Sequence, residues 1–132
     1  MEIRLVEKPE IDVYSLVLLR RSIGWEAQVE RLNQTVGRCY YWAGGFAADK
    51  LIGYIEVVSD GIDDAYIRNL IVHPHYQRQG AGSELLRLAT ERIKKDGIKM
   101  TNVLFKPELS AFYRKAGFNI ISGGLIDNCA RL

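Results

Sequence analysis

The chain has 132 residues, 48% of them hydrophobic and 26% charged, with a net charge of +2 and two cysteines. That length suits one domain, able to bury about two-thirds of its extended surface. The composition excludes a disordered chain, a disulfide scaffold and a strongly basic nucleic-acid binder. The longest apolar run, Leu16 to Leu19, is far short of a membrane span, and Met1-Glu2-Ile3-Arg4 lacks the apolar core of a signal peptide. A cytoplasmic protein with no membrane or nucleic-acid partner is therefore expected. Cys39 and Cys129 have no metal-ligand spacing.

In chain order, Ile3 to Val6 predicts a strand. A helix follows over about Ile11 to Arg21, with Ile11, Tyr14 and Leu18 as its inner face and Arg20-Arg21 at its negative end. Ser22-Ile23-Gly24-Trp25 breaks it, and a shorter helix runs from about Glu26 to Thr35, stopped at Gly37. From Arg38 the period becomes extended. Tyr40 to Ala48, with a bulge expected at Gly44-Gly45, Leu51 to Val58 and Ala65 to Val72 predict three antiparallel strands joined by short turns.

A helix with Leu85, Leu86, Ala89 and Ile93 on one face follows, ending at Gly97. It must cross over to the strand Lys99 to Phe105, which then lies parallel to Ala65 to Val72. Pro107 opens a last helix whose inner face is expected at Leu109, Phe112 and Ala116, with Gly117-Phe118 as its stop. Phe118 to Ile121 and Leu125 to Asn128 predict a closing strand or hairpin. The fold class is α+β: a mixed, mostly antiparallel central sheet flanked by helices, with one parallel strand pair. The whole span 1–132 reads as one domain.

The stretch that carries chemistry is Gln77-Arg78-Gln79-Gly80-Ala81-Gly82, between a strand and a helix start. Unpaired N–H groups and a positive helix end suit a phosphate there. Gly82 is followed by Ser83-Glu84, which lacks the lysine of a P-loop, and Leu85 occupies the third glycine of a dinucleotide fingerprint. Both nucleotide readings fail.

What remains, with Gln77, Gly80 and Gly82 in that spacing and Tyr113-Arg114-Lys115-Ala116-Gly117-Phe118 near the C-terminus, resembles the GNAT superfamily of N-acetyltransferases. The resemblance covers nearly the whole chain and implies the acyl-CoA N-acyltransferase fold, in which the two parallel strands splay apart. It implies acetyl-CoA as the cofactor. Leu70, Ile71 and Val72 would pair with the pantetheine arm, and the amides of Gln77, Arg78, Gln79, Gly80, Ala81, Gly82 and Ser83 would hold the pyrophosphate. Many relatives place an asparagine where this chain has Lys106; Asn102 or Ser110 is expected to substitute.

Acyl transfer to an amine needs a proton acceptor and a proton for the departing thiolate. Tyr113 is the expected general acid, because a phenol with a pKa of about 10 is protonated at neutral pH. Some relatives carry a glutamate base where this chain has Tyr66, so Glu56 on the neighbouring strand is the candidate base if it faces the cleft. Trp25, Tyr54 and Tyr66 are candidates for the acceptor pocket, and Asp60 for orienting an ammonium. The expected reaction moves acetyl from acetyl-CoA to a primary amine of a small molecule by direct attack in a ternary complex, without a metal. Protein N-acetylation and a non-catalytic acyl-CoA sensor are the rivals. A second copy of the chain can cover the sheet edge left by the short tail, so a homodimer is among the expectations.

Overall fold

Near-continuous burial along Tyr41–Ala47 and Lys50–Ser59, the mark of strands covered on both faces, builds the centre of the molecule. The computed structural model of the chain describes residues 2–129. A five-stranded sheet runs in sequence order: β1 (Arg4–Glu7), β2 (Tyr41–Ala47), β3 (Lys50–Ser59), β4 (Asp64–Val72) and β5 (Met100–Val103). The first four are antiparallel and β5 is parallel to β4, as the crossover demands. The β2/β3 register shifts between Gly45 and Phe46, where the paired glycines predict a bulge.

Helix α3 (Ala81–Lys95) packs one face of the sheet through Leu85, Leu86, Ala89 and Ile93, against Ala43, Ile55, Val57 and Ile67. Each fully buried aliphatic side chain there contributes about 2 kcal/mol. Gly53 lets the helix come this close: a Cβ there would stand 3.0 Å from Leu85 Cδ1. Gly97, at φ +74, ends the helix, with its N–H donating to the Lys94 carbonyl. Helices α1 (Val13–Ser22) and α2 (Val29–Thr35) cover the other face, where Leu16, Leu19 and Leu32 meet Leu51, Tyr54 and Ile71. Among the described residues no helix is long and apolar enough to cross a membrane.

One irregularity positions everything that follows. Tyr54 pairs with Ile71 but Glu56 pairs with Arg68, so Asn69 and Leu70 both stand opposite Ile55. Asn69 takes φ +56, a backbone region that asparagine tolerates better than most residues. This bulge bends β4. On its other side, pairing with β5 stops at Ile67↔Val103, so β4 from Arg68 onward has an open edge.

Three expectations are corrected. The inner face of α1 is Leu16, Val17 and Leu19, whereas Tyr14 and Leu18 are 62% and 67% exposed. The Leu16-Val17-Leu18-Leu19 run is apolar all round, so its period does not choose a face. In α4 (Ser110–Lys115) the buried residue is Tyr113, while Leu109 and Ala116 are exposed. The closing strand is absent: residues 118–127 form no strand, and Ile121, Leu125 and Ile126 lie exposed. Apolar β-formers need a partner ladder, and the four-residue β5 offers little edge to pair with.

Candidate active site

Beyond Val72 a short 3₁₀ turn (Pro74–Tyr76) leads into the loop before α3. Arg78 (φ +64) and Gly80 (φ +86) both adopt the left-handed region, which turns successive peptide units inward as a nest. Among the described residues the amides of residues 78–83 donate to no protein group, so six consecutive N–H groups converge with the positive end of α3. The Gln77 side chain donates to the Val72 carbonyl at 2.9 Å and ties the loop to the end of β4. A Cβ at Gly80 would meet nothing within 4 Å, and one at Gly82 would point toward Val72 and Phe112 at 3.6 and 3.8 Å. The backbone there is an open cradle.

The cradle borders a cavity of about 510 Å³ whose other walls are Leu70 and Val72 of β4 and Leu109, Phe112 and Tyr113. Tyr113 is 5% exposed and stacks on Phe105, ring centroids 4.4 Å apart, with Phe112 and Phe118 edge-on. Among the described residues no group hydrogen-bonds its hydroxyl and no buried side-chain oxygen lacks a partner, so that hydroxyl meets the cavity. Burial, and then the nearby Tyr66 phenol, pushes its pKa above the ordinary value.

A second cavity, of about 430 Å³, opens against the residues just before, Arg68 and Asn69, and is walled by Glu56, Arg20 and the α2 region. Glu56 is 3% exposed, the one buried charged side chain among the described residues. Its Oε1 accepts from Arg68 Nε at 2.7 Å and from Asn69 Nδ2, and its Oε2 accepts from the Tyr54 hydroxyl at 2.8 Å. The Cys39 thiol also donates to Oε2, at 3.7 Å. Burial, together with Glu56, pushes that thiol up to about 11, far from a nucleophile's range. Among the described residues no cluster of His, Cys, Asp or Glu could hold a metal ion.

Two cavities thus meet at consecutive residues of one bulged strand, one with a cradle of unpaired amides and one polar. The sequence profile of the "Acetyltransferase (GNAT) domain" matches residues 34–120, which include the whole lining of the first cavity and the Glu56, Arg68 and Asn69 wall of the second. The chain belongs to the GNAT acetyltransferase family.

Within that family it is similar to an uncharacterized ycf52-like N-acetyltransferase of Prochlorococcus marinus, 26% identical over 125 residues. Those residues cover 91% of this chain and 68% of that protein. It also resembles the solved structure of a GNAT-family acetyltransferase of Streptococcus pneumoniae, with a TM-score of 0.84 and 26% identity, covering 98% of this chain and 100% of that one. The PaiA N-acetyltransferase of Thermoplasma acidophilum, solved with coenzyme A, shares the fold at a TM-score of 0.70 and 22% identity, with 94% of each chain covered.

For this GNAT chain the structure brings together Leu70, Val72, Gln77, Arg78, Gly80, Ala81, Gly82, Ser83 and Tyr113 around the first cavity. Ile71 instead points into the core beneath α1. Asn102 lies at the closed end of the parallel pair, donating to Asp64 Oδ1 and the Ala65 carbonyl, and Ser110 bonds the Pro107 carbonyl. Neither lines the cradle. Asp60 caps the β3–β4 turn, accepting from the amides of Ile62, Asp63 and Asp64, and lines neither cavity. Tyr54 is fully buried beneath Glu56, Trp25 flanks Arg20, and Tyr66 faces the groove beside residues 118–124. Sequence reasoning missed Arg20, Arg68 and Asn69. The asparagine inside a β-branched run is a signal for the bulge, but the pairing of Arg68 with Glu56 depends on a register that no local pattern gives.

Proposed function

We propose that the protein transfers the acetyl group of acetyl-CoA to a primary amine of a small molecule, both reactants being bound together, in the cytoplasm. The observation that carries this reading is the shared strand: Leu70 and Val72 border the phosphate-cradle cavity while Arg68 and Asn69 border the polar one. The residues present fit the cofactor, because six unpaired amides match a pyrophosphate and the open edge of β4 beyond Ile67 matches an amide-bearing arm.

Bound there, acetyl-CoA supplies an acetyl group as a thioester. The transfer forms a C–N bond, breaks the C–S bond, removes one proton from nitrogen and leaves one on sulfur. The amides at 78–83 fix the cofactor and thereby the position of its reacting end. Backbone N–H groups of the open edge near Leu70 are preorganised to stabilise negative charge on the acetyl oxygen. The Tyr113 hydroxyl, protonated and facing the cavity, donates the proton that ends on sulfur.

Glu56 is at the acceptor cavity, but both its oxygens already accept hydrogen bonds. Its part in this reading is to hold Arg68, Asn69 and Tyr54, while the amine loses its proton to water. The raised Cys39 thiol favours direct attack over a covalent enzyme intermediate. A second reading, a sensor that binds without turnover, is favoured by that occupied carboxylate. Thiol release on mixing protein, acetyl-CoA and an amine panel decides between them: release that needs both reactants is expected. Tight acetyl-CoA binding with no release from any amine overturns the enzyme.

A further inference from the structure

Positive charge outnumbers negative in the inner wall of the acceptor cavity. Arg68 is cancelled by Glu56 at 2.7 Å. Arg20, half-buried beside them, gives its guanidinium only to neutral acceptors: Nε to the Glu26 carbonyl and Nη1 to Asn69 Oδ1, each at 2.9 Å. Its Cζ sits 5.3 Å from the centre of the Trp25 ring, which fixes the plane of the fork. At the mouth, Arg31 likewise donates to Gln28 Oε1 and Cys129 Sγ, both at 3.1 Å. Among the described residues neither arginine forms an ion pair.

A half-buried cation without its own counter-ion is costly. Burial lowers the Arg20 pKa, and Glu56 and Glu26 offset only part of this. The carboxylates of Glu26 and Asp127 sit on the exposed rim, where Glu26 accepts from Gln28 Nε2 and Asp127 from the Cys129 amide. They are screened by water, whereas Arg20 is half-buried. A planar guanidinium fork matches carboxylate and phosphate.

We infer that the acceptor is a small amine that also carries an anionic group, a carboxylate or a phosphate. Arg20 binds that group with Arg31 at the mouth, and the nitrogen is thereby aimed at the bulge of β4. This deepens the acetyl-transfer reading and rests on it. It also excludes polyamines and other dications as favoured acceptors, since a second ammonium would face Arg20.

The test uses matched acceptors that differ only in the anion: amino acids against their carboxamides, and amino-sugar phosphates against the free amino sugars. With acetyl-CoA present, thiol release should favour the anionic member by at least about tenfold in kcat/KM, and the two sets separate carboxylate from phosphate. Arg20→Gln should bring that ratio toward one, mainly through KM, and Arg20→Lys should restore part of it. Neutral partners used equally well, or an R20Q loss equal for both members, overturns the inference. Calorimetric affinity for acetyl-CoA checks that each variant is folded. A thermal-shift series with the same pairs needs no turnover and separates the two readings. Stabilisation of the wild type, and not of R20Q, by the anionic members alone is expected even if no thiol is released. No stabilisation by any anionic member overturns the site.

Discussion

Arg68 Nε and Glu56 Oε1 meet 2.7 Å apart across the β3/β4 ladder, one residue before β4 bulges at Asn69. The pair joins core to site, because Glu56 is buried while Arg68 is about one-third exposed, 36% for its side chain. Removing the carboxylate strands Arg68 and leaves the Tyr54 and Asn69 donors without an acceptor.

Glu56→Ala should therefore cost about 3 kcal/mol, the low end for a broken buried pair because Arg68 still reaches water. The urea midpoint should fall with an unchanged slope. A midpoint equal to wild type shows that the pair does not hold the strands.

Tyr113→Phe should lower kcat by about a hundredfold or more, while acetyl-CoA affinity stays near wild type. The sign of the pH dependence follows from the raised pKa: a proton donor must be protonated, so raising its pKa moves the loss of rate upward. Activity should rise with pH as the amine deprotonates, without a falling limb below about pH 10. A limb centred near pH 8, or a few-fold effect of the substitution, removes Tyr113 from this role.

Gly82→Val places carbon in the cavity between Val72 and Phe112 at ordinary contact distances, so the protein should stay folded. Affinity for coenzyme A measured by calorimetry should fall at least about tenfold. Unchanged affinity means that the cradle is not where the phosphates bind.

Asp60 is held below the usual carboxylate range, chiefly by the amides of Ile62 and Asp63. A depressed folded-state pKa stabilises above the unfolded value and is lost as pH falls through the folded one. Asp60→Ala should unfold more easily than wild type at pH 6, and the gap should close as pH drops below about 4. Denaturant midpoints at several pH values read this directly; a gap that persists at pH 2 rules out the ionised cap.

Local rules made much of this molecule legible. The α3 stripe of Leu85, Leu86, Ala89 and Ile93 and the stop at Gly97 are period and capping signals, and both hold in the structure. The amide cradle before α3 was readable because it is built of backbone, written in glycine spacing. The face of α1 was not, because Leu16 to Leu19 offers no polar side to exclude. The wall of the polar cavity was hidden for another reason. Arg20, Arg68 and Asn69 converge from positions 49 residues apart in sequence, a product of sheet register and helix placement.

The sequential sheet has a consequence for how such a chain diversifies. Much of the polar cavity is furnished by residues 20–35 together with the tail near Asp127, whereas the cavity at the amide cradle is lined by residues 70–113. They adjoin at the bent segment of β4. If the protein transfers acetyl as proposed, substitutions in the early helices should retune which nucleophile is admitted while the grip on the acyl carrier stays as it was.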